Sequence, residues 1–590
     1  MKYAITALLV LISLSVADAG EWDTHYEKSG FVATPTYEQT LEYSKKLAAA
    51  SEKLQYMSFG QSSLGYDLPL LIYSPKGEFT PAENKDNTII LMQGCIHAGE
   101  SDGKDAGLML LRDMLIRDKY NDIADNLTIL FIPILNVDGH LRFGPYNRIN
   151  QNGPVEMGWR TNAQNLNLNR DFLKADSPAI RAWLKLFNEW NPDFFLDLHT
   201  TNGADYQYTV TYSMETKGNM PEALKKWQED VYIGRLEKDM LEKGYELFPY
   251  VAFRNWHDPR SGLRTWVAPP RLSHGYTALR NRPGILVETH MLKPYKDRVQ
   301  GTYELLISTM EILHEEGKNL RKLITEADRF TESMSFRENH FVIDYRLSDI
   351  DSIIVEFKGV DYEAIESDLT GGIWYQYSDV PAVFEVPYYN KPVPSDSAII
   401  PAAYAIPPQY AEVIERIKAH GIEYSILKEN TELEVDSYMF DNVDFRNSPS
   451  EGRFTVNADR KPHKEMRTLV KGTMIIRADQ PLVKVAAHIL EPGAMDSYLW
   501  WGFFNAIFEQ KEYGESYVLE KTARQMLKEN NEIAEEFNEK MKNDEDFASK
   551  PRQILNWFYM KSKYWDKQMN NYPVSKIRDL NEIEHLLEEK

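Results

Sequence analysis

The sequence predicts an α/β domain over residues 20–330, a β-rich module over 331–495 and a helical region over 496–590. Three observations carry this reading. Apolar runs of strand length at 67–73, 87–92, 127–135, 193–198 and 284–288 are interleaved with helical spacing at 37–54, 103–120 and 302–330. Strand-like alternation at 341–355 and 381–388 is punctuated by Gly371, Gly372 and several prolines. From Asp496 onward the chain is helical and heavily charged, most of all over 515–546, as a solvent-facing helical tail would be.

A chain of 590 residues is longer than one ordinary core, and 43% hydrophobic with 12% aromatic residues is the composition of a folded protein. A formal charge of -22, with no long Lys/Arg run, makes nucleic acid an unsuitable partner. Residues 1–19 combine Lys2, an apolar stretch over 4–16 and the small-x-small ending Ala17-Asp18-Ala19. They predict a secretory signal cleaved after Ala19, against the alternatives of an uncleaved anchor or a buried helix. No later segment approaches a membrane span, so no stable membrane insertion is expected after cleavage, and the protein is expected to be secreted or periplasmic. Cys95 is the only cysteine and cannot form an internal disulfide.

In chain order, the helix predicted over 37–54 precedes strands over 67–73 and 87–92, then a helix over 103–120. The run 127–135 reads as a fully buried strand ending at the turn Asn136-Val137-Asp138-Gly139. Buried strands over 193–198 and 284–288 follow, and the charge-laced helix over 302–330 closes the domain. Further on, a helix over 409–420 ends at Gly421, placed for a C-cap, and a strand resumes over 422–427. Ligand sites in open α/β sheets lie beyond the carboxyl ends of strands, where His97, Asn136, His199 and Glu288 stand.

Gly94-Cys95-Ile96-His97-Ala98-Gly99-Glu100 places an imidazole and a carboxylate three residues apart after a strand, a nitrogen and an oxygen ligand for a borderline metal such as zinc. His199, ending Phe194-Phe195-Leu196-Asp197-Leu198, is a third ligand that leaves one position open for water. Glu288 emerges from Gly284-Ile285-Leu286-Val287, where burial raises a carboxyl pKa toward general-base use.

These pieces, in this order, resemble the zinc carboxypeptidase family that includes pancreatic carboxypeptidase A, over roughly residues 35–315. Phe131-Ile132-Pro133-Ile134-Leu135-Asn136-Val137-Asp138-Gly139-His140 is similar to the family's Pro-x-x-Asn-Pro-Asp-Gly segment. The resemblance implies a mixed central β-sheet flanked by helices, and one zinc ion held by His97, Glu100 and His199. It also implies a zinc-activated water with Glu288 as general base, Arg160 polarising the scissile carbonyl, and Asn169 with Arg170 gripping the terminal carboxylate of a peptide or protein substrate. Two positions depart from the family pattern: Asn167 stands where an aspartate often orients the first histidine, and Tyr276, the nearest tyrosine upstream of Glu288 and the candidate for the substrate-covering tyrosine, lies closer to the glutamate than the family's does. Arg280 or Arg282 offers either an additional carboxylate contact or a structural ion pair, and Trp256, His257, Asp258 and Trp266 fall where the family builds its specificity pocket. His140, His257, His274 and His290 read as ordinary hydrogen-bonded histidines.

The function expected is C-terminal peptide hydrolysis. An alternative keeps the metal chemistry on peptidoglycan stem peptides or acylated amino acids. A third reading, of another class, is a catalytically silent peptide- or glycan-binding protein, against which the retained Glu288 argues.

Overall fold

The computed structural model describes residues 20–590 except 202, 219 and 590. The signal predicted over residues 1–19 lies outside the described residues. Nine strands build the first half: β1 (Leu54–Gln61), β2 (Asp67–Tyr73), β3 (Thr88–Gly94), β4 (Leu127–Ile132), β5 (Phe194–Thr201), β6 (Val210–Met214), β7 (Leu247–Pro249), β8 (Leu263–Arg264) and β9 (Gly284–His290). Eight of them form one mixed sheet in the order β1-β2-β4-β3-β5-β9-β6-β7. The four central strands, β4, β3, β5 and β9, run parallel and are buried along their whole length, which is why they read as unbroken apolar runs. Helices Asp102–Ile116, Pro178–Trp190 and Tyr295–Glu332 cover the sheet.

The register of the parallel strands sets the site. In it His199 of β5 is the direct partner of Glu288 of β9. One residue further, Thr200 and Thr289 both donate to Asp102 Oδ2, at 2.7 and 2.5 Å, and the fully buried Arg298 of the long helix donates to the same oxygen at 3.1 Å. Asp102 thereby ties the ends of both strands to two helices. The helix it opens crosses β5 at Gly103, where a Cβ would lie 2.3 Å from Leu198 Cβ.

The second half is larger in strand content than its sequence suggests. Long hairpins pair Ile353–Glu366 with Ile373–Tyr389 and Thr431–Phe445 with Val456–Leu469. A seven-stranded sheet takes in Thr431–Phe445, Val456–Leu469 and Ala403–Ile406 together with Ser575–Ile577 and Leu587–Glu589 from the end of the chain. Helices do occupy Ser516–Glu529, Asn531–Asn543 and Pro551–Lys561, with a core of Phe547, Trp557 and Phe558. The expectation of helix alone beyond 496 is corrected by these last two strands, each three residues long and too short to show a period.

The halves are not tethered but share a core. Trp183, Phe187 and Tyr276 of the first half pack in one cluster with Ile406, Ile417, Met474 and Ile489 of the second. At the same boundary Lys484, fully buried, donates to Asn281 Oδ1 at 2.5 Å, and burial pushes its ammonium down to about 7 from an ordinary 10.5. Between these values the unfolded chain holds the extra proton, so this group makes stability rise with pH. Comparing wild type with Lys484→Met by urea unfolding, the wild type is expected to gain roughly 2 kcal/mol relative to the variant between about pH 7 and pH 9. Gly103→Ala is expected to lower stability by about 1–3 kcal/mol, because overpacking against Leu198 outweighs the roughly 1 kcal/mol that alanine gains in a helix; a denaturant midpoint at or above that of wild type would exclude that close approach.

Candidate metal centre and substrate cleft

His97 and Glu100 follow β3 in a turn, and His199 and Glu288 end adjacent strands, so four side chains from three strand ends meet. The ligand atoms of His97, Glu100 and His199 all lie within 4.8 Å of one another, and all three residues are buried. His97 Nδ1, a buried nitrogen, faces the cluster 3.1 Å from Glu100 Oε1. His199 Nδ1 lies 2.8 Å from Glu100 Oε2. The opposite nitrogens are anchored: His97 Nε2 is 2.9 Å from Asn167 Oδ1, and His199 Nε2 is 2.9 Å from Asp197 Oδ2. Donating Nε2–H leaves Nδ1 of both rings for the metal. Two imidazole nitrogens and a carboxylate are the donor set of an open zinc site, so these residues fit that ion.

The charges follow from this geometry. Burial pushes His97 down to about 4. Burial also opposes a charge on His199, but the Asp197 carboxylate, its hydrogen bond and Glu100 together hold it well above the usual histidine range. Burial pushes Glu288 up to about 8; the charge of Glu100 adds to the rise, while His199 and Arg160 oppose it. Glu288 Oε2 has no hydrogen-bond partner. A cation at the three ligands would draw the Glu288 carboxyl back toward its ionised form.

Arg160 is 42% exposed, with Nη1 3.3 Å from Glu100 Oε1, and its loop is held by Asn136 Nδ2 donating to Arg160 O at 3.0 Å. The segment 131–140 thus serves to seat Arg160. Burial, with the like charges of Arg160 and Arg271, holds the Arg170 guanidinium below the usual range. The Asn169 amide is engaged within the protein. It is 4% exposed, its Oδ1 accepts from Ser273 N at 3.0 Å and its Nδ2 lies 3.3 Å from His199 Nε2, so both ends of the amide face inward.

Tyr276 is corrected. It is fully buried in helix Ser273–Leu279, and its phenol lies 2.8 Å from Nδ1 of His420 in the second half. Position near Glu288 in sequence misleads here, because the helix turns that side chain into the shared core. Tyr250 is the tyrosine close enough to Glu288 and Glu100 to feel both charges. Its phenol shares a hydrogen bond with the Thr201 side chain, and burial and the neighbouring Glu288 charge push it up to about 12. Its ring packs edge-on against Trp266 at 5.4 Å. Arg148, also missed, donates to Glu100 Oε1 at 2.8 Å. Arg280 and Arg282 are spent on Asn188 and Asp328. His140 lies 2.8 Å from Lys104 Nζ, and His290 3.0 Å from Asp205 Oδ1.

A family model described as zinc carboxypeptidase matches residues 40–239, the segment holding all three ligands. Over that segment the chain matches the zinc carboxypeptidase family. It is a metallopeptidase, a hydrolase. Carboxypeptidase 2 of Trichophyton rubrum is 22% identical over 481 residues, covering 79% of this chain and 84% of that protein. Probable carboxypeptidase 2 of Arthroderma benhamiae is 21% identical over 475 residues, covering 78% of this chain and 85% of that protein. A metallo-carboxypeptidase from Burkholderia cenocepacia aligns with a TM-score of 0.36 at 16% identity, over 48% of this chain and 70% of that one. Asp197 is the hidden support of this cluster: it is fully buried and also accepts from Gln93 at 2.8 Å and Ser273 Oγ at 2.5 Å. Asp197→Asn is expected to weaken zinc binding by roughly 10- to 100-fold, read by chelator competition.

Proposed function

We propose that the protein is an exported carboxypeptidase that hydrolyses the last peptide bond of peptides or proteins with a free C-terminus, using one zinc ion held by His97, Glu100 and His199. The observation that carries this reading is the register that sets Glu288 beside His199, with Arg160 against Glu100 in the same cluster and Arg170 near enough to Arg160 to feel its charge. A bound zinc ion supplies Lewis acidity and lowers the pKa of a water molecule. Glu288, walled by apolar strand residues, takes the proton from the attacking water and returns it to the leaving amine. Arg160 faces the carbonyl oxygen and stabilises the negative charge that develops there. Arg170 pairs with the terminal carboxylate, a planar fork meeting a planar acceptor, which limits cleavage to the chain end. The Tyr250 phenol stays protonated and serves as a donor that closes the cleft against water. Export rests on the features of residues 1–19; no helix among the described residues is long and apolar enough to cross a membrane.

Release of C-terminal amino acids from a mixed peptide library by the mature protein tests the reading. Release is expected to stop with a zinc chelator, to fall by roughly 10²- to 10⁴-fold in Glu288→Gln, and to vanish for the same peptides ending in an amide. Zinc binding without release from any free C-terminus would overturn it in favour of hydrolysis of another amide.

A further inference from the structure

The turn that carries Arg170 is held from the second half of the chain. Strands Thr431–Phe445 and Val456–Leu469 form a hairpin whose tip, residues 446–455, contains a tight turn closed by backbone hydrogen bonds between Ser450 and Arg453 in both directions, at 2.8 and 3.0 Å. The two residues between them, Glu451 and Gly452, take left-handed backbone, with φ of +49° and +77°. Glycine adopts that conformation freely and glutamate does not, and such turns favour glycine or asparagine at both places. A strained residue that persists invites the question of what its side chain does.

Glu451 Oε2 accepts a hydrogen bond from the backbone N–H of Asn167 at 2.9 Å. The tip is clamped for this contact. Arg453 donates to both oxygens of Asp176 at 2.8 and 2.7 Å and to Glu412 at 2.8 Å, and its guanidinium lies 3.7 Å from the centre of the Phe503 ring. Asn167 in turn is a hub. Its Oδ1 lies 2.9 Å from His97 Nε2 and accepts from Asn169 N at 3.0 Å, while its carbonyl accepts from Arg170 N at 2.9 Å. A shift of this one residue moves the support of a metal ligand and the backbone of the carboxylate-binding arginine together.

We propose that Glu451 is a positioning residue for the zinc carboxypeptidase site: by accepting the Asn167 amide it fixes the turn 167–170, and through Arg170 it sets affinity for the terminal carboxylate of the substrate. The inference rests on the carboxypeptidase reading of that site. A merely structural glutamate at this turn would be improved upon by glycine, which fits the backbone and has no acceptor.

The test uses the full zinc-loaded chain carrying Glu288→Gln, so that peptide binds without turnover, with calorimetric titration of a peptide bearing a free C-terminus and a thermal melt of each variant. Glu451→Gly is expected to melt at or above the parent temperature and to bind the peptide at least about fivefold more weakly, the worth of one such hydrogen bond. Glu451→Gln keeps an acceptor and is expected to bind within about twofold of the parent. Unchanged or tighter binding by Glu451→Gly, a lower melting temperature for it, or equal weakening in Glu451→Gln would each overturn the role. A parent that binds the free and the amidated peptide equally well would instead sink the carboxypeptidase reading itself.

Discussion

A carboxylate can remain charged in a dry interior only where cations or hydrogen-bond donors surround it, and Glu100 imposes that constraint on everything near it. It is 2% exposed and lies against two imidazoles and two guanidiniums. Those four groups come from separate stretches of chain, so satisfying one charge requires the turn after β3, the end of β5 and the loops bearing Arg148 and Arg160 to converge. Asp102, one turn away, does the same for the ends of β5 and β9 through Thr200, Thr289 and Arg298. Fold and metal centre are therefore two descriptions of one charge-balancing arrangement, and a metal ion joins it as a further cation.

What could be read from the amino-acid sequence follows from where each residue sits. His97, His199 and Glu288 end apolar runs, and a polar residue at the end of a buried parallel strand stands out without any structure. Asn136 belonged to the same pattern but works at one remove, holding the loop of Arg160. Tyr250 and Arg148 lie on irregular loops whose paths no periodicity encodes, and Tyr276 was favoured by proximity along the chain although its helix turns it inward. Asn169 shows the limit of a motif: the pair with Arg170 is present, but backbone geometry directs the amide at Ser273 and His199. In the second half, long hairpin strands with one wet face carry a weak alternation, and three-residue strands carry none.

The second half is thus more than an appendage. It buries Tyr276 through His420 and braces the turn before Arg170 with the tip of a hairpin. It also pairs with β8, where Tyr388 and Tyr389 align with Leu263 and Arg264, stiffening the excursion of chain between Tyr250 and Trp266. The contacts at Asn167 and at β8 each bear on a stretch of chain outside the central sheet.

The hydrogen bond between Asn167 and Glu451 spans 284 residues of sequence. A ribosome adding about 5–20 residues per second needs on the order of 14–60 s to synthesise that interval. During that time the metal ligands are already present in the nascent chain while the tip that braces the Arg170 turn does not yet exist. The order of synthesis therefore adds the brace on the Asn167 turn only after every residue of the charge cluster has been made.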